Sequence, residues 1–148
     1  MLIRLISLEE TLPVRSLALR EGQPYNKCTV SEDALAETFH IGAIEGEKAL
    51  GTASFFPKDR QEYEGKGFQL RMMGVLPNCQ GQGIGKDILL AGIKMLRQEQ
   101  QAAYLWCHAR KAAYLFYEKI GFTYISEEFE IPVIGTHKTM ILWIKNEK

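Results

Sequence analysis

The chain has 148 residues, 46% hydrophobic and 24% charged, enough for one ordinary core and short for two. Its 18 Lys and Arg balance 18 Asp and Glu, so no global field draws a polyanion and a nucleic-acid partner is not expected. No apolar run reaches the ~20 residues of a membrane span, and MLIRLISLEE lacks a core of signal-peptide length, so the expectation is a cytoplasmic protein that does not enter a membrane.

Leu2 to Ile6 read as a strand. Ser7 and Glu10 have the S-x-x-E spacing of a capping box and start a helix running towards Arg20, although Thr11 with Pro13 in the first turn offers a second start. After a break at Gly22 to Asn26, Ser31 caps a short helix to Thr38. Phe39–Ile44 and Ala49–Phe56 form a hairpin around Glu45-Gly46-Glu47-Lys48, and PKDRQEYEGKG is a solvated loop. Phe68 to Leu76 alternates as a strand, with Leu70, Met72 and Leu76 on one face and Arg71, Met73 and Val75 on the other. Gly74 interrupts it and predicts a bulge or a close approach. Ile84, Ile88, Leu89, Gly92, Ile93 and Leu96 fall at helical spacing. Ala103–Ala109 is a strand, Arg110–Ile120 a helix closed by Gly121, and Phe122–Ser126 and Lys138–Ile144 are strands. This order predicts one domain, residues 1 to 148, with a mixed sheet carrying helices. Cys28, Cys79 and Cys107 lack zinc-site spacing, so no metal is expected, and Cys79 reads as a small loop residue.

The stretch CQGQGIGK, Cys79 to Lys86, lies between a strand and a helix. Such a loop presents unpaired amide N–H groups and the positive end of the helix dipole, and glycines let the chain follow a phosphate closely. A nucleoside-triphosphate loop would need glycine at Gln80 and Ser or Thr at Asp87. The dinucleotide fingerprint fails too, because Gly81 and Gly83 are followed by Lys86, and Gly83 and Gly85 by Ile88.

The spacing that fits is Q-x-x-G-x-G, met by Gln80, Gly83 and Gly85 after LRMMGVLP and followed about thirty-five residues later by FYEKIGF. With these motifs the chain resembles the GNAT superfamily of acetyl-coenzyme A dependent N-acetyltransferases. The strand YLWCHAR, the helix AAYLFYEKIGF and the final IPVIGTHKTMIL are similar to the second half of that fold. The resemblance implies an α/β (α+β) fold: a mixed, mostly antiparallel central sheet flanked by helices, with a bulged and splayed central strand. It implies acetyl transfer from acetyl-coenzyme A, without a metal, to a primary amine of a small molecule or protein by direct attack in a ternary complex. A non-catalytic acyl-coenzyme A sensor of the same fold is the alternative, and a homodimer is allowed by analogy.

Carried over by position, Gln80, Gly81, Gln82, Gly83, Ile84 and Gly85 hold the pyrophosphate, with Lys86 adding charge. Met73, Gly74 and Val75 pair with the pantetheine arm as an added strand would, and Ala113 and Phe116 pack against the coenzyme. His108 stands where relatives often carry an asparagine that contacts the coenzyme. Tyr117, which by periodicity alone reads as core packing, supplies the proton for the leaving thiolate, and Val75 N–H faces the oxyanion. His137 is the candidate base, an imidazole being the side chain suited to proton transfer near neutral pH. His40 is a further candidate facing the acceptor, Glu128 and Glu130 are candidate acids, and Arg71 and Arg110 suit an acidic group on the acceptor or coenzyme. The acceptor pocket is expected from Arg20–Thr38 and the Pro57–Gly67 loop.

Overall fold

The computed structural model describes residues 1–145. Eight strands make one sheet: β1 (Leu2–Ile6), β2 (Phe39–Glu45), β3 (Lys48–Pro57), β4 (Gly67–Val75), β5 (Tyr104–Arg110), β6 (Thr123–Tyr124), β7 (Phe129–Ile131) and β8 (Gly135–Trp143). The order across it is β1-β2-β3-β4-β5-β8-β6, with β7 paired to β8. Every pairing is antiparallel except β4 with β5. The helices are α1 (Leu8–Val14), α2 (Ile84–Gln98) and α3 (Tyr114–Ile120).

Alternation along the strands decides which helix covers which face. Phe55 of β3 packs under α2, where a Cβ added at Gly92 would lie 2.0 Å from the ring. Its neighbour Ser54 points the other way and accepts a hydrogen bond from Arg15, just beyond α1. The main core therefore fills the face under α2 and α3, with Phe39, Phe55, Phe68, Leu70, Ile88 and Leu89 buried in it. The opposite face is closed by α1 and by a buried Arg15 guanidinium, which donates to both Asp33 carboxylate oxygens at 2.9 Å.

The capping box forms as expected: Ser7 Oγ accepts from Glu10 N–H, and Glu10 Oε1 accepts from Ser7 N–H. Pro13 has no N–H to give, and the helix widens after Val14 into a π-turn, Arg15–Leu19. Several expectations are corrected. The helix over Ser31 to Thr38 is only a 3-10 turn, Ser31–Ala34; the capping carboxylate is that of Asp33, which accepts from Val30 N–H at 2.9 Å. A strand, β7, lies in the segment Phe129–Ile131 that the sequence reading leaves unassigned, and Arg110 ends β5 rather than starting a helix.

At Gly74, where the sequence predicts a bulge or a close approach, the structure has the close approach, and the bulge lies just before it. Thr52 pairs with Gly74 and Ser54 with Arg71, so Met72 and Met73 together oppose Ala53, and Met72 has φ +55°. The bulge is therefore at Met72 and Met73. Gly74 sits in register; a Cβ there would come within 3.2 Å of Ala18 and Leu19 of the π-turn, so its missing side chain admits that turn. The extra residue also shifts the faces: Met73 and Val75 join Leu70 against the α2 core, while Arg71 and Gly74 face the α1 side.

Candidate active site

β4 and β5 pair only at Gly67–Tyr104, Phe68–Leu105 and Gln69–Trp106. Beyond Gln69, β4 keeps β3 as its only partner, and beyond Trp106, β5 keeps only β8. The two central strands thus splay, leaving a cavity of about 1080 Å³ between them. Met73, Val75, Phe116 and Tyr117 line it from the α2–α3 side, while Gln69, Arg71, His108 and His137 line it too. By strand alternation these four lie on the other face: Arg71 pairs with Ser54 and Gln69 with Phe56, and His108 follows the inward Cys107.

At the α2 end the cavity meets a second hollow of about 500 Å³, and the two share Val75, Gln80, Gly81, Gly85 and Phe116. Gly81 and Gly83 have φ +80° and +81° and open space around an added Cβ, so backbone conformation, rather than crowding, calls for glycine. Gly83 is the N-cap of α2 without a side-chain cap, and the first helical bond runs from Asp87 N–H to Gly83 C=O. The N–H groups of Ile84, Gly85 and Lys86 therefore precede any intrahelical partner. Gln80 Nε2 donates to Val75 C=O at 3.1 Å and ties the loop to the end of β4. Lys86 and Lys119 stand at this hollow, while Gln82 is exposed and its side chain is not on the wall.

A family model described as the acetyltransferase (GNAT) family matches residues 7–122. The chain belongs to that family. By it, the protein is an acetyl-coenzyme A dependent acyltransferase. The acetyltransferase is also 29% identical over 147 residues to YitI of Bacillus subtilis (strain 168), named as an uncharacterized N-acetyltransferase, covering 99% of this chain and 98% of that one. Among solved structures, an aminoglycoside 6'-N-acetyltransferase complexed with coenzyme A superposes with a TM-score of 0.77 at 13% identity, over 100% of this chain and 99% of that one. The Escherichia coli ribosomal-protein-S18-alanine N-acetyltransferase gives 0.72 at 18% identity, over 99% and 97%. These two show a shared fold.

In the acetyltransferase, Tyr117 is 9% exposed, and its hydroxyl stands beside the Cys107 thiol. Burial, and then Cys107, raise the phenol well above its ordinary pKa, so it stays protonated; burial likewise pushes the Cys107 thiol up to about 12. His137 is 3% exposed, with Nδ1 2.7 Å from Gly135 C=O. A carbonyl can only accept, so Nδ1 carries the proton and Nε2 of the neutral ring keeps its lone pair. His108 Nδ1 lies 3.0 Å from Thr139 Oγ1. Desolvation, then Arg60, His137, Lys58 and Arg71, lower its pKa, so it is neutral at pH 7.

Ala113 lines the cavity beside Phe116. His40 does not: it is buried, with Nδ1 2.6 Å from Ser54 Oγ and Nε2 3.9 Å from Asp33, and belongs to the Arg15 network. Glu128 accepts from Tyr114, Glu130 from Thr136, and neither reaches the wall. Sequence reasoning missed Gln69, which lines the cavity at 5% exposure with its carbonyl oxygen buried and unpartnered, and it missed Cys107 beside Tyr117. Neither belongs to a motif. Among the described residues no group of three or more His, Cys, Asp or Glu is arranged to hold a metal, and no helix is long and apolar enough to cross a membrane.

Proposed function

We propose that the chain moves an acetyl group from acetyl-coenzyme A to a primary amine by direct attack in a ternary complex. The observation that carries this reading is the gap between β4 and β5, continuous from the uncapped N-terminus of α2 to Tyr117. Coenzyme A would lay its pyrophosphate on the amides of Gln80 to Lys86, with Lys86 adding charge. Its pantetheine arm would run along Met73, Gly74 and Val75, as a missing strand would, with Ala113 and Phe116 packed against it. The acceptor would enter from the opposite face, past His108 and His137.

The amine nitrogen attacks the thioester carbonyl carbon, the oxyanion takes the Val75 N–H, and the C–S bond then breaks. One amine proton must leave and the departing sulfur must gain one. His137 is the proposed base, supported by the lone pair left on Nε2. His108, held neutral by its surroundings, is the second candidate. Tyr117 serves the sulfur as a hydrogen-bond donor through the transition state, because its pKa lies above that of a thiol near ~8.5 and full transfer to the thiolate is uphill; the proton that the base takes from the amine then passes to the thiolate through solvent, leaving the amide, the free thiol and a neutral base.

Coenzyme A at ~100 times its dissociation constant should stabilise the protein by ~2.7 kcal/mol. In a thiol-release assay, Tyr117→Phe should lower kcat about a hundredfold and leave that stabilisation unchanged. An unchanged kcat would remove Tyr117 from the reaction.

A further inference from the structure

The charged side chains that line the acceptor side of the gap are all cationic. Arg20, Lys58, Arg71 and Arg110 line the cavity with His108 and His137, and no Asp or Glu does. Arg71 donates to Glu32 at 2.8 Å, the carboxylate whose pKa Lys58 also helps lower. Among the described residues Arg20, Lys58 and Arg110 have no carboxylate within 4 Å. Burial is the main cause of the lowered His108 pKa, and Arg60, His137, Lys58 and Arg71 add to it in the same direction.

The coenzyme phosphates do not account for these cations, because the α2 loop with Lys86 and Lys119 lies at the other end, while Arg71 points to the opposite face of β4. Gln69, 5% exposed, closes the cavity at the end of the splay where β4 and β5 still pair, so it adds an amide but no charge to that wall. A wall lined by cations and by no carboxylate suits a molecule that brings a negative charge.

We propose that the acceptor of this acetyltransferase is a small amine carrying an anionic group, a carboxylate or a phosphate, held by Arg20, Lys58 and Arg71. This rests on the acetyl-transfer reading and deepens it. The cations also favour the deprotonated amine, which is the form that attacks, while a polyamine or other polycation would be repelled. Arg71 is held ready to bind: Glu32 fixes one guanidinium nitrogen, and the Arg15–Asp33 pair fixes the turn carrying Glu32.

Acetylation removes one positive charge, so the product reports the class of acceptor. An amino acid or aminoalkyl phosphate becomes an anion, a simple amine becomes neutral, and a polyamine stays cationic. The protein, first shown by its melting shift to bind coenzyme A, is incubated with 13C-acetyl-coenzyme A and a mixture of amine metabolites, and labelled products are separated by charge. The proposal expects anionic products. Pairs then separate the sources: 4-aminobutyrate against its amide tests carboxylate, and phosphoethanolamine against ethanolamine tests phosphate, with kcat/KM higher for the anionic member by about tenfold or more in at least one pair. Lys58→Gln and Arg71→Gln should each raise KM for the anionic acceptor about tenfold and leave coenzyme A affinity within about twofold; Lys58, on the surface, serves if Arg71→Gln fails to fold. Neutral or cationic products, no labelled product from a protein that binds coenzyme A, or equal rates within both pairs would overturn the proposal and leave the coenzyme reading standing. Failure to bind coenzyme A would overturn both.

Discussion

Gly81 and Gly83 stand in left-handed backbone with nothing near a built Cβ, so their service is conformational. Gly83→Ala places a side chain where the left-handed region costs ~1–2 kcal/mol and re-aims the amides that the coenzyme reading assigns to pyrophosphate. The unfolding free energy from urea titration should therefore drop by about that amount, with coenzyme A affinity falling about tenfold or more. A stable variant with full affinity would show that the loop tolerates an ordinary residue there. Met72 bears the same strain without being glycine, at φ +55°, and its position at the bulge beside the cavity links that strain to the opening of the strands.

At the level of elements, two contacts hold the layers around the gap. Gly92 lets α2 approach until Phe55 occupies the space of a side chain, and a Cβ there would meet three ring atoms at 2.0, 2.5 and 2.7 Å. Gly92→Ala should cost ~1–3 kcal/mol or more by overpacking, despite alanine's better helix propensity; a rise in melting temperature would mean that α2 can shift freely. On the other face, Arg15 is 0% exposed and ties α1 to the Ser31–Ala34 turn through Asp33, to β3 through Ser54 and to Cys28 C=O. Arg15→Met leaves a buried carboxylate without its cation and should cost ~3–5 kcal/mol, with part recovered by adding Asp33→Leu. Denaturant titration of the single and double variants reads both, and an equal loss in each would exclude the pair as the cause.

Across the whole molecule, the same buried network sets the response to acid. Burial, then Arg15, lower the pKa of His40 below 6.5. The unfolded chain therefore binds more protons than the folded one between that lowered value and about 6.5, so stability is lost as pH falls through this window. His108 adds in the same direction. Burial raises the Asp33 carboxyl, but its bonds to Arg15 and Val30 N–H outweigh that and hold it below 3.8, so its contribution persists above that pH and is lost only at lower pH. Urea midpoints from pH 8 to 4.5 should fall below about 6.5, and His40→Gln should flatten that fall; an unchanged profile would exclude His40. The order of the main strands and of α1, α2 and α3, the capping box, the amphipathic α2 and the phosphate-type loop were legible from sequence, because each rests on patterns among residues a few positions apart; β7 was not. FYEKIGF and Q-x-x-G-x-G pointed to the family for the same reason, being local patterns. Tertiary structure alone decided that the bulge lies at Met72 and Met73, that Gly74 admits the π-turn, and that His40 is sealed beside Arg15. It alone brought Lys58, Gln69, Arg71 and His108 together on one side of a splayed sheet, since they come from β4, β5 and the residue after β3, and their separation along the chain carries no sign of their meeting.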